Sequence, residues 1–413
     1  MVPNSWELTN FGQLAEFRNG LNFTKADQGE TIKIVGVADF KDHSSLSSLD
    51  NLNTINVGNT VKDNDLIKSG DLLYVRSNGN KDLIGRCLFF PEVTEKLSFS
   101  GFTIRGRVTS KAILPNYLAL LSRSEIVKQQ FSKNGGGTNI SNLSQQILND
   151  VVVPLPTIEE QRKIAKTLST WDKAIATTEK LIETSKQQKK ALMQQLLTGK
   201  KRLVNPETGK VFEGEWYHGF LGDLCTFKGG SAFKESYQGQ TQGDFPFIKV
   251  SDMNLPRNKK FILQANNWIT EDVAKTIKAK AFSKGSVVFA KVGAALLLNR
   301  RRILVRPTII DNNMMAAVPR KICSTEFLYQ LMLMVDFAKF VQDGAVPSVN
   351  QSDLSRFKIS YPSIEEQQKI ASALIVADKE IEVLEAKLAH FEQEKKALMQ
   401  QLLTGKRRVK NDD

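Results

Sequence analysis

The sequence predicts an α+β protein with two globular α/β domains, separated by an antiparallel two-helix coiled coil and related by a pseudo-twofold internal repeat. Its 413 residues are too many for one ordinary hydrophobic core. The twelve residues KKALMQQLLTGK occur twice, at Lys189–Lys200 and at Lys395–Lys406. The segments that end in these copies have helical periodicity, whereas the rest of the chain contains short β-rich runs. The chain therefore uses one fold twice.

The duplication extends beyond the twelve residues. Pro156 to Lys200 matches Pro362 to Lys406 at 26 of 45 positions. Fainter matches, 210 positions apart, pair Trp6, Gly12, Leu14, Phe17, Gly20 and Phe23 with Trp216, Gly222, Leu224, Phe227, Gly230 and Phe233. The predicted organisation is two variable domains (1–155 and 214–361), two similar helices (156–200 and 362–406), a linker (201–213) and a basic, polar tail (407–413).

Both similar segments have the end signals of helices. Thr157 with Glu160, and Ser363 with Glu366, have the spacing of a capping box, in which a hydroxyl and a carboxylate bind the free N–H groups of the first turn. Glycines follow each helix at the position where a left-handed residue would end it, at 199 and 405.

The apolar residues of both helices follow the alternating steps of four and three that are typical of a coiled-coil seam. The predicted seam residues are Ile164, Leu168, Trp171, Ile175, Ile182, Leu192 and Leu196 in the first helix, and Ile370, Leu374, Ile381, Leu384, Leu388, Phe391, Leu398 and Leu402 in the second. Lys395 interrupts the second seam. We expect the two helices to pair with each other as a molecular ruler, about 50 Å long at 1.5 Å per residue. The alternative is that each helix packs only on its own domain.

Each variable domain contains β-rich runs followed by one helical run, predicted at Asn116–Phe131 and Glu326–Val341. Loops in both domains combine Asn, Arg and Lys, which suit base edges and phosphates, with Gly, which permits close approach of the backbone. The predicted DNA-binding residues are Arg76, Asn78, Asn80, Lys81, Lys133, Asn134, Thr138, Asn139, Lys291, Arg300, Arg301, Arg302, Ser348, Asn350 and Gln351. The alternative is that these residues simply form surface turns.

The charge balance favours a polyanionic partner, because the chain has a net charge of +13 and a pI of about 9.4. The three Cys and three His show no metal-ligand spacing. We therefore expect buried cysteines and no metal site. No apolar run is long enough to span a bilayer, and the N-terminus does not resemble a signal peptide, so we expect a soluble cytoplasmic protein.

Motifs of DNA-modifying enzymes are missing. There is no Pro-Pro pair of the kind that amino methyltransferases use to hold a flipped base, no F-x-G-x-G for S-adenosylmethionine, no G-x-x-x-x-G-K-[ST] phosphate loop and no Pro-Asp opening of a nuclease core. Together these gaps favour a non-catalytic binding subunit whose catalysis belongs to partners.

The two P-x-I-E-E-Q-x-K-I-A and K-K-A-L-M-Q-Q-L-L-T-G-K-x-R segments resemble those of the specificity subunit of type I restriction-modification systems. The resemblance covers the whole chain. It implies two target-recognition domains that each read half of a split DNA sequence, with helices that dock two methyltransferase subunits, joined by restriction subunits that translocate and cut DNA. It also implies that S-adenosylmethionine, ATP and Mg belong to those partners and that this chain holds no cofactor.

Because the two domains differ, the expected target is asymmetric. The loop after Gly285 departs from the family pattern, with Ser286 in place of Asp and an apolar continuation. Two other readings remain open: a fused methyltransferase or nuclease with an unrecognised active site, and a coiled-coil scaffold or regulator that binds DNA without sequence preference.

Overall fold

The computed structural model describes residues 3, 5–22, 30–40, 44–46, 48–57, 61–134, 142–205, 207–341 and 346–409. The chain divides into two compact units. One contains Met1–Glu179 with Ala386–Asp413, and the other contains Lys180–Glu385. Each unit thus consists of one globular domain with parts of both long helices, rather than of one domain with its own helix.

The first domain is built from short strands and helices. In chain order these are β1 (Glu7–Asn10), α1 (Phe11–Leu14), β2 (Ala15–Asn19), β3 (Glu30–Val35), β4 (Asn53–Val57), β5 (Leu72–Val75), β6 (Cys87–Phe89), β7 (Leu97–Phe99), β8 (Thr103–Val108), α2 (Pro115–Ser122), α3 (Glu125–Asn134), α4 (Gln145–Asn149) and β9 (Val152–Leu155). They are followed by the long helix α5 (Ile158–Leu196).

Three sheets organise this domain: a four-stranded sheet β2-β8-β5-β6, a three-stranded sheet β4-β3-β7, and the antiparallel pair β1-β9. All four residues of β5 are buried, as its unbroken apolar sequence requires of a central strand. Alternate β5 side chains enter two different apolar clusters, since Leu72 and Tyr74 belong to one and Leu73 and Val75 to the other.

The second domain repeats this plan with local changes. Its elements are β10 (Tyr217–Phe220), α6 (Leu221–Leu224), β11 (Cys225–Gly229), β12 (Phe245–Ile248), β13 (Phe261–Ile262), β14 (Trp268–Ile269), α7 (Glu271–Thr276), β15 (Val287–Ala290), α8 (Ala294–Leu297), β16 (Arg302–Leu304), β17 (Ile309–Ile310), β18 (Met314–Pro319), α9 (Thr325–Met334), α10 (Gln351–Ser355) and β19 (Lys358–Tyr361), followed by α11 (Ile364–Leu402). The sheets are β11-β18-β15-β16-β13, β14-β12-β17 and β10-β19.

The predicted single helical run of each domain is wrong in extent. In the first domain α2 ends at Ser122 and α3 begins at Glu125. In the second domain α9 ends at Met334, and a 3₁₀ turn (Phe337–Phe340) follows, capped by the Asp336 carboxylate. The Val335 carbonyl, which could have continued the helix, instead accepts a hydrogen bond from the Arg301 guanidinium.

The long helices α5 and α11 each have 39 residues and pair with each other inside both units. In the first unit the Trp171 and Phe391 rings meet edge to face, with centroids 5.6 Å apart, and Leu402 packs in the cluster that holds Ile164. In the second unit Leu196 packs in the cluster that holds Ile370 and Leu374. In each unit the start of one helix therefore lies against the end of the other, which is antiparallel pairing.

All fifteen predicted seam residues are buried or half-buried. The predicted α+β class, with two similar domains and an antiparallel helix pair, is confirmed. The glycines expected after the helices have left-handed backbones, with φ of 73° at Gly199 and 72° at Gly405. Each lies three residues beyond the last helical residue, so a short turn separates it from the helix.

The expected capping boxes are wrong for the carboxylates. The Thr157 hydroxyl does accept a hydrogen bond from the Glu160 N–H, at 3.4 Å. The buried Glu160 carboxylate, however, accepts hydrogen bonds from the Trp6 indole at 2.9 Å and from the Arg408 guanidinium at 2.5 and 2.9 Å. In the second unit the Glu366 carboxylate likewise accepts two hydrogen bonds from a guanidinium, that of Arg202, both at 2.6 Å. These glutamates join the starts of their helices to segments distant in sequence instead of capping the helices.

The glutamine that follows each of these glutamates, Gln161 or Gln367, hydrogen-bonds the long helix to the domain that precedes it in the chain. The buried Gln161 amide accepts a hydrogen bond from the Leu114 N–H and donates to the Ala112 and Pro156 carbonyls, at 2.8 to 2.9 Å. Gln367 makes the equivalent three bonds in the second unit. The repeated E-E-Q sequence is therefore an attachment between helix and domain.

Candidate DNA interface

Three segments of the first domain meet where β5 ends. The Arg76 N–H donates to the Phe102 carbonyl at 2.8 Å, and the Arg76 carbonyl accepts from the Leu143 N–H at 2.8 Å. We call Arg76, Phe102 and Leu143 the first junction. It brings together the residue after β5, the turn before β8 and the turn before α4, so that side chains distant in sequence share one site.

The second domain has the same arrangement where β15 ends. The Lys291 N–H donates to the Asn313 carbonyl at 2.9 Å, and the Lys291 carbonyl accepts from the Val349 N–H at 3.0 Å. We call Lys291, Asn313 and Val349 the second junction. The two junctions occupy equivalent places in the two folds, yet an exposed phenylalanine in one corresponds to an exposed asparagine in the other.

In each domain a glycine lies very close to the backbone of the turn that carries Phe102 or Asn313. A Cβ atom added to Gly20 would lie 2.2 Å from the Ser100 carbonyl oxygen, and one added to Gly230 would lie 2.1 Å from the Asp311 carbonyl oxygen. Both distances are shorter than any van der Waals contact. Only glycine therefore fits at this point, which gives a physical reason for its recurrence in both copies.

The polar loop after Arg76 is held by its own asparagines. The Asn78 side chain accepts a hydrogen bond from the Asn80 N–H at 2.8 Å. The Asn80 side chain in turn caps the next 3₁₀ turn by accepting from the Asp82 N–H at 3.0 Å. Asn80 and Lys81 are exposed, whereas Arg76 and Asn78 are half-buried. These asparagines shape the loop, and their role at a base edge stays a prediction.

A cavity of about 640 Å³ lies beside the first junction. Its lining combines the polar side chains of Asp39, Asn53, Ser77 and Asn78 with the apolar ones of Ile34, Val37, Ala38 and Phe102. The Asp39 carboxylate accepts from the Gly36 N–H at 2.8 Å, which fixes that acceptor group in the wall. The cavity thus presents both hydrogen-bonding groups and apolar surface.

The other predicted loop of the first domain is placed only in part. Lys133 is exposed in the last turn of α3, and Asn134 is the last residue of that helix. The Asn134 side chain, Thr138 and Asn139 lie outside the described residues.

In the second domain the structure brings two predicted segments together. Ser348 forms a β-bridge with Val292, next to Lys291 of the second junction. Asn350 caps α10, since its side chain accepts from the Asp353 N–H and donates to the Asp353 carboxylate, both at 2.7 Å. Gln351 is exposed in the first turn of that helix. Lys291, Ser348 and Gln351 therefore belong to one site.

The prediction that Arg301 and Arg302 bind DNA is corrected by their surroundings. Arg301 is 1% exposed, and its guanidinium lies 3.8 Å above the Phe337 ring and binds the Asn299 and Val335 carbonyls. Burial lowers the pKa of Arg301 to about 10. Arg302 is half-buried and bound to the Met253 and Asn258 carbonyls. Both guanidinium groups serve the fold, because each donates to backbone carbonyls inside the domain.

Arg300 differs from its two neighbours. It is exposed, and its guanidinium contacts the Asn254 side chain. A phosphate contact by this residue stays a prediction.

An acidic group lies within the basic second site. The Asp311 carboxylate is 8% exposed and accepts from the Asn313 N–H at 2.8 Å. Burial raises the pKa of Asp311, while the charges of Lys249 and Lys291 act in the opposite direction. Its main effect is to fix the turn that presents Asn313.

Among the residues that the structure describes, no group of three or more His, Cys, Asp or Glu side chains could hold a metal ion. The three cysteines are buried and unpaired, as expected. Burial raises the pKa of Cys87 to about 11 and that of Cys323 to about 12, so these thiols stay protonated at neutral pH. Within the described ranges, no helix is both long and apolar enough to cross a membrane.

A duplicated α+β fold with two equivalent but chemically unlike junctions defines a two-domain recognition protein. The family model for the type I restriction modification DNA specificity domain matches this chain twice, at residues 3–187 and 213–393. The chain therefore belongs to the type I restriction-modification DNA specificity family, and its function is recognition of DNA sequence within such a system.

Individual relatives agree with this assignment. A putative type I restriction enzyme MjaX specificity subunit of Methanocaldococcus jannaschii is 28% identical over 99% of this chain and 95% of its own length. The EcoKI specificity subunit of Escherichia coli is 26% identical over 49% of this chain and 47% of its own length.

Solved structures share the fold. The HsdS subunit of Thermoanaerobacter tengcongensis matches with a TM-score of 0.51 at 18% identity, over 98% of both chains. A chain from a study of complex assembly and conformational transition in the type I R-M system matches with a TM-score of 0.63 at 16% identity, also over 98% of both chains.

Phe102 and Asn313 are not among the DNA-binding residues predicted from the sequence. Phe102 follows a turn that breaks the strand alternation after buried Phe99, so the pattern could not tell an outward ring from a core ring. Their shared place became evident only from the hydrogen bonds to Arg76 and Lys291. The fainter repeat of Gly20 and Gly230 is the sequence signal that points to the same turn.

Proposed function

We propose that this chain reads an asymmetric, bipartite duplex target, with one half-site for each domain. The observation that carries the proposal is the equivalence of the two junctions. The same backbone hydrogen bonds hold Arg76 beside Phe102 in one domain and Lys291 beside Asn313 in the other. Because side chains at equivalent places differ in shape and hydrogen-bonding capacity, the two domains suit different base edges.

Charge supports DNA as the ligand. The net charge of +13 and the exposed cations Lys81, Lys133 and Arg300 favour contact with phosphates. Such contacts position a protein on the duplex without reading its sequence. The sequence preference is therefore assigned to the junctions and the phosphate affinity to the surrounding cations.

The helix pair is proposed to set the distance between the two half-sites and to dock the partner subunits. The support is its internal symmetry, since equivalent ion pairs occur in both units, Lys189 with Asp378 and Lys395 with Asp172. A duplicated surface suits two copies of one partner. The proposed partners are two methyltransferase subunits, together with restriction/translocase subunits.

Catalysis is proposed to belong to those partners. S-adenosylmethionine, ATP and Mg would then be their ligands, and this chain would be a non-catalytic subunit working on cytoplasmic DNA. The support is the absence of the four enzyme motifs from the sequence. Incubating the purified chain alone with its target duplex, S-adenosylmethionine and magnesium should give neither methyl transfer nor cleavage. Either reaction would favour a fused enzyme instead.

Selection from a pool of randomised duplexes tests the reading function. The full chain, co-purified with its methyltransferase subunits, should enrich one split sequence whose two halves differ. Replacing residues 1–155 with the corresponding domain of a relative should change one half and leave the other half and the spacer unchanged. Enrichment of no sequence, with one steep salt dependence for every duplex, would favour a scaffold or regulator that binds DNA through charge alone.

A further inference from the structure

We propose that Phe102 determines the specificity of the first domain by packing its ring against the C5-methyl group of a thymine. This proposal rests on the reading function proposed above and assigns one base contact within it. Phe102 is 60% exposed, and among the described residues it is the one phenylalanine with more than half of its surface exposed. An isolated exposed ring carries little information by itself. What distinguishes Phe102 is its position at the first junction, where its carbonyl accepts from the Arg76 N–H.

The backbone of Phe102 is fixed on both sides. Its N–H donates to the Ser100 hydroxyl at 3.2 Å, and its carbonyl accepts from the Arg76 N–H at 2.8 Å. The preceding turn is held by the close approach of Gly20 to Ser100. The ring is therefore presented on a rigid support, which lowers the entropic cost of placing it against a ligand.

The surroundings of the ring match the major-groove edge of a base pair. Phe102 lines the cavity of about 640 Å³, together with apolar Ile34, Val37 and Ala38 and with polar Asp39, Asn53, Ser77 and Asn78. In the major groove the thymine methyl is an apolar group among hydrogen-bond donors and acceptors. Apolar surface that includes an exposed ring, beside several polar groups, is the complementary pattern, with the ring on the methyl and the polar side chains on neighbouring base edges.

The second domain supports the assignment by contrast. Asn313, which takes the place of Phe102 in the second junction, is exposed and carries an amide. An amide suits the paired donor and acceptor of adenine and gains nothing from a methyl group. The residue at this one position is thus the clearest chemical difference between two junctions whose backbones are held alike.

The contact is tested by a double-mutant cycle, in which the Phe102 ring and the thymine methyl are removed separately and together. The target is first selected with the wild-type complex, and its first half is identified by the exchange of residues 1–155. Each thymine of that half is then replaced by deoxyuridine, which lacks only the methyl. Wild type should lose about fourfold in affinity at one of these positions, which corresponds to the ~0.8 kcal/mol of one buried methyl-sized group.

Phe102→Ala should bind the thymine and deoxyuridine duplexes equally, because the partner of the methyl is gone. Phe102→Leu should keep part of the discrimination, because it remains apolar. Phe220→Ala removes the other phenylalanine that is exposed in the described part of the chain, on β10, and should behave as wild type. Asn313→Ala should alter preferences only in the second half. Thermal unfolding of each variant checks that the fold is retained.

The outcomes separate this proposal from the function on which it rests. If the wild-type complex selects no sequence, the reading function itself fails. If it selects a target whose first half contains no thymine, the assignment of Phe102 is overturned while the reading function stands. The same holds if Phe102→Ala retains the full discrimination between thymine and deoxyuridine.

Discussion

Lys395 on α11 forms an ion pair with Asp172 on α5, inside the first unit. The reciprocal pair joins Lys189 to Asp378 in the second unit, with the lysine 206 residues earlier and the aspartate 206 residues later. Lys395 is the residue that interrupts the apolar seam. The interruption is therefore part of the pairing, because a half-buried lysine that meets an aspartate only in the antiparallel register disfavours other alignments of the helices.

We predict that these ion pairs are energetically coupled. Lys395→Ala and Asp172→Ala should each lower the free energy of unfolding, and the double variant should lose less than the sum. The coupling should be about 1 kcal/mol, because Asp172 is 36% exposed and solvent screens the pair. Chemical denaturation of the wild type, the two single variants and the double variant measures this coupling energy. Lys396→Ala, an exposed neighbour, is the control. Fully additive losses would contradict the prediction.

The C-terminal segment is predicted to stabilise the first unit. Arg408→Ala leaves the buried Glu160 carboxylate with the Trp6 indole but without its cation. Such a loss costs about 2 kcal/mol when the carboxylate is buried and its partner is half-exposed. Hydrogen exchange over residues 158–170 should accelerate accordingly. Arg407→Ala, which removes an exposed arginine next to it, should leave exchange unchanged.

The duplication makes the same experiment possible in the second unit. Arg202→Ala removes the cation from Glu366, which is 1% exposed, and should accelerate exchange over residues 364–376. The first unit should be unaffected. Acceleration in both units from either single substitution would mean that Arg408 and Arg202 act through global unfolding.

The periodic features of this fold could be predicted from the sequence. The helix seams depend on spacing within one segment, and every predicted seam residue is buried or half-buried. The repeat itself predicted the shared domain plan. Glu160 was also found, as a helix-start residue, but its partners Trp6 and Arg408 lie 154 and 248 residues away, and no local pattern records such contacts.

The candidate site was predicted less well for the same reason. Composition predicts where Asn, Arg and Gly gather, but not whether a guanidinium faces solvent or a carbonyl of the core. Arg300 and Arg301 are adjacent, yet one is exposed and the other is fully buried, because β16 begins directly after them and Phe337 lies over Arg301. Phe102 was missed because its environment is made by three segments that meet only in the folded chain.

These two neighbouring arginines should separate stability from DNA binding. Arg301→Ala removes two carbonyl hydrogen bonds and a cation–π contact from a buried site, and should lower the free energy of unfolding by about 3 kcal/mol. Arg300→Ala should change stability by less than about 0.5 kcal/mol.

For DNA binding we expect the opposite ranking, with Arg300→Ala having the larger effect of the two substitutions. If Arg300 binds a phosphate, Arg300→Ala should weaken binding to all sequences alike and reduce the slope of log affinity against log salt concentration by about 1. Titrations of the partner-bound complex at several salt concentrations measure this. An unchanged slope would remove Arg300 from the interface, and an altered base preference would assign it a base contact instead.

The proposed role of the helices in spacing the half-sites is tested by lengthening both. A seven-residue insertion after residue 180 and another after residue 386 preserve the seam, and they keep Lys395 with Asp172 and Lys189 with Asp378 in register. Seven helical residues add about 10.5 Å, or roughly three base pairs of duplex. Selection should then return the same two half-sites with a spacer lengthened by about three base pairs. As a control, insertion into α5 alone shifts the register and should destabilise the helix pair. An unchanged spacer in the doubly lengthened protein would show that helix length does not set the distance between the half-sites.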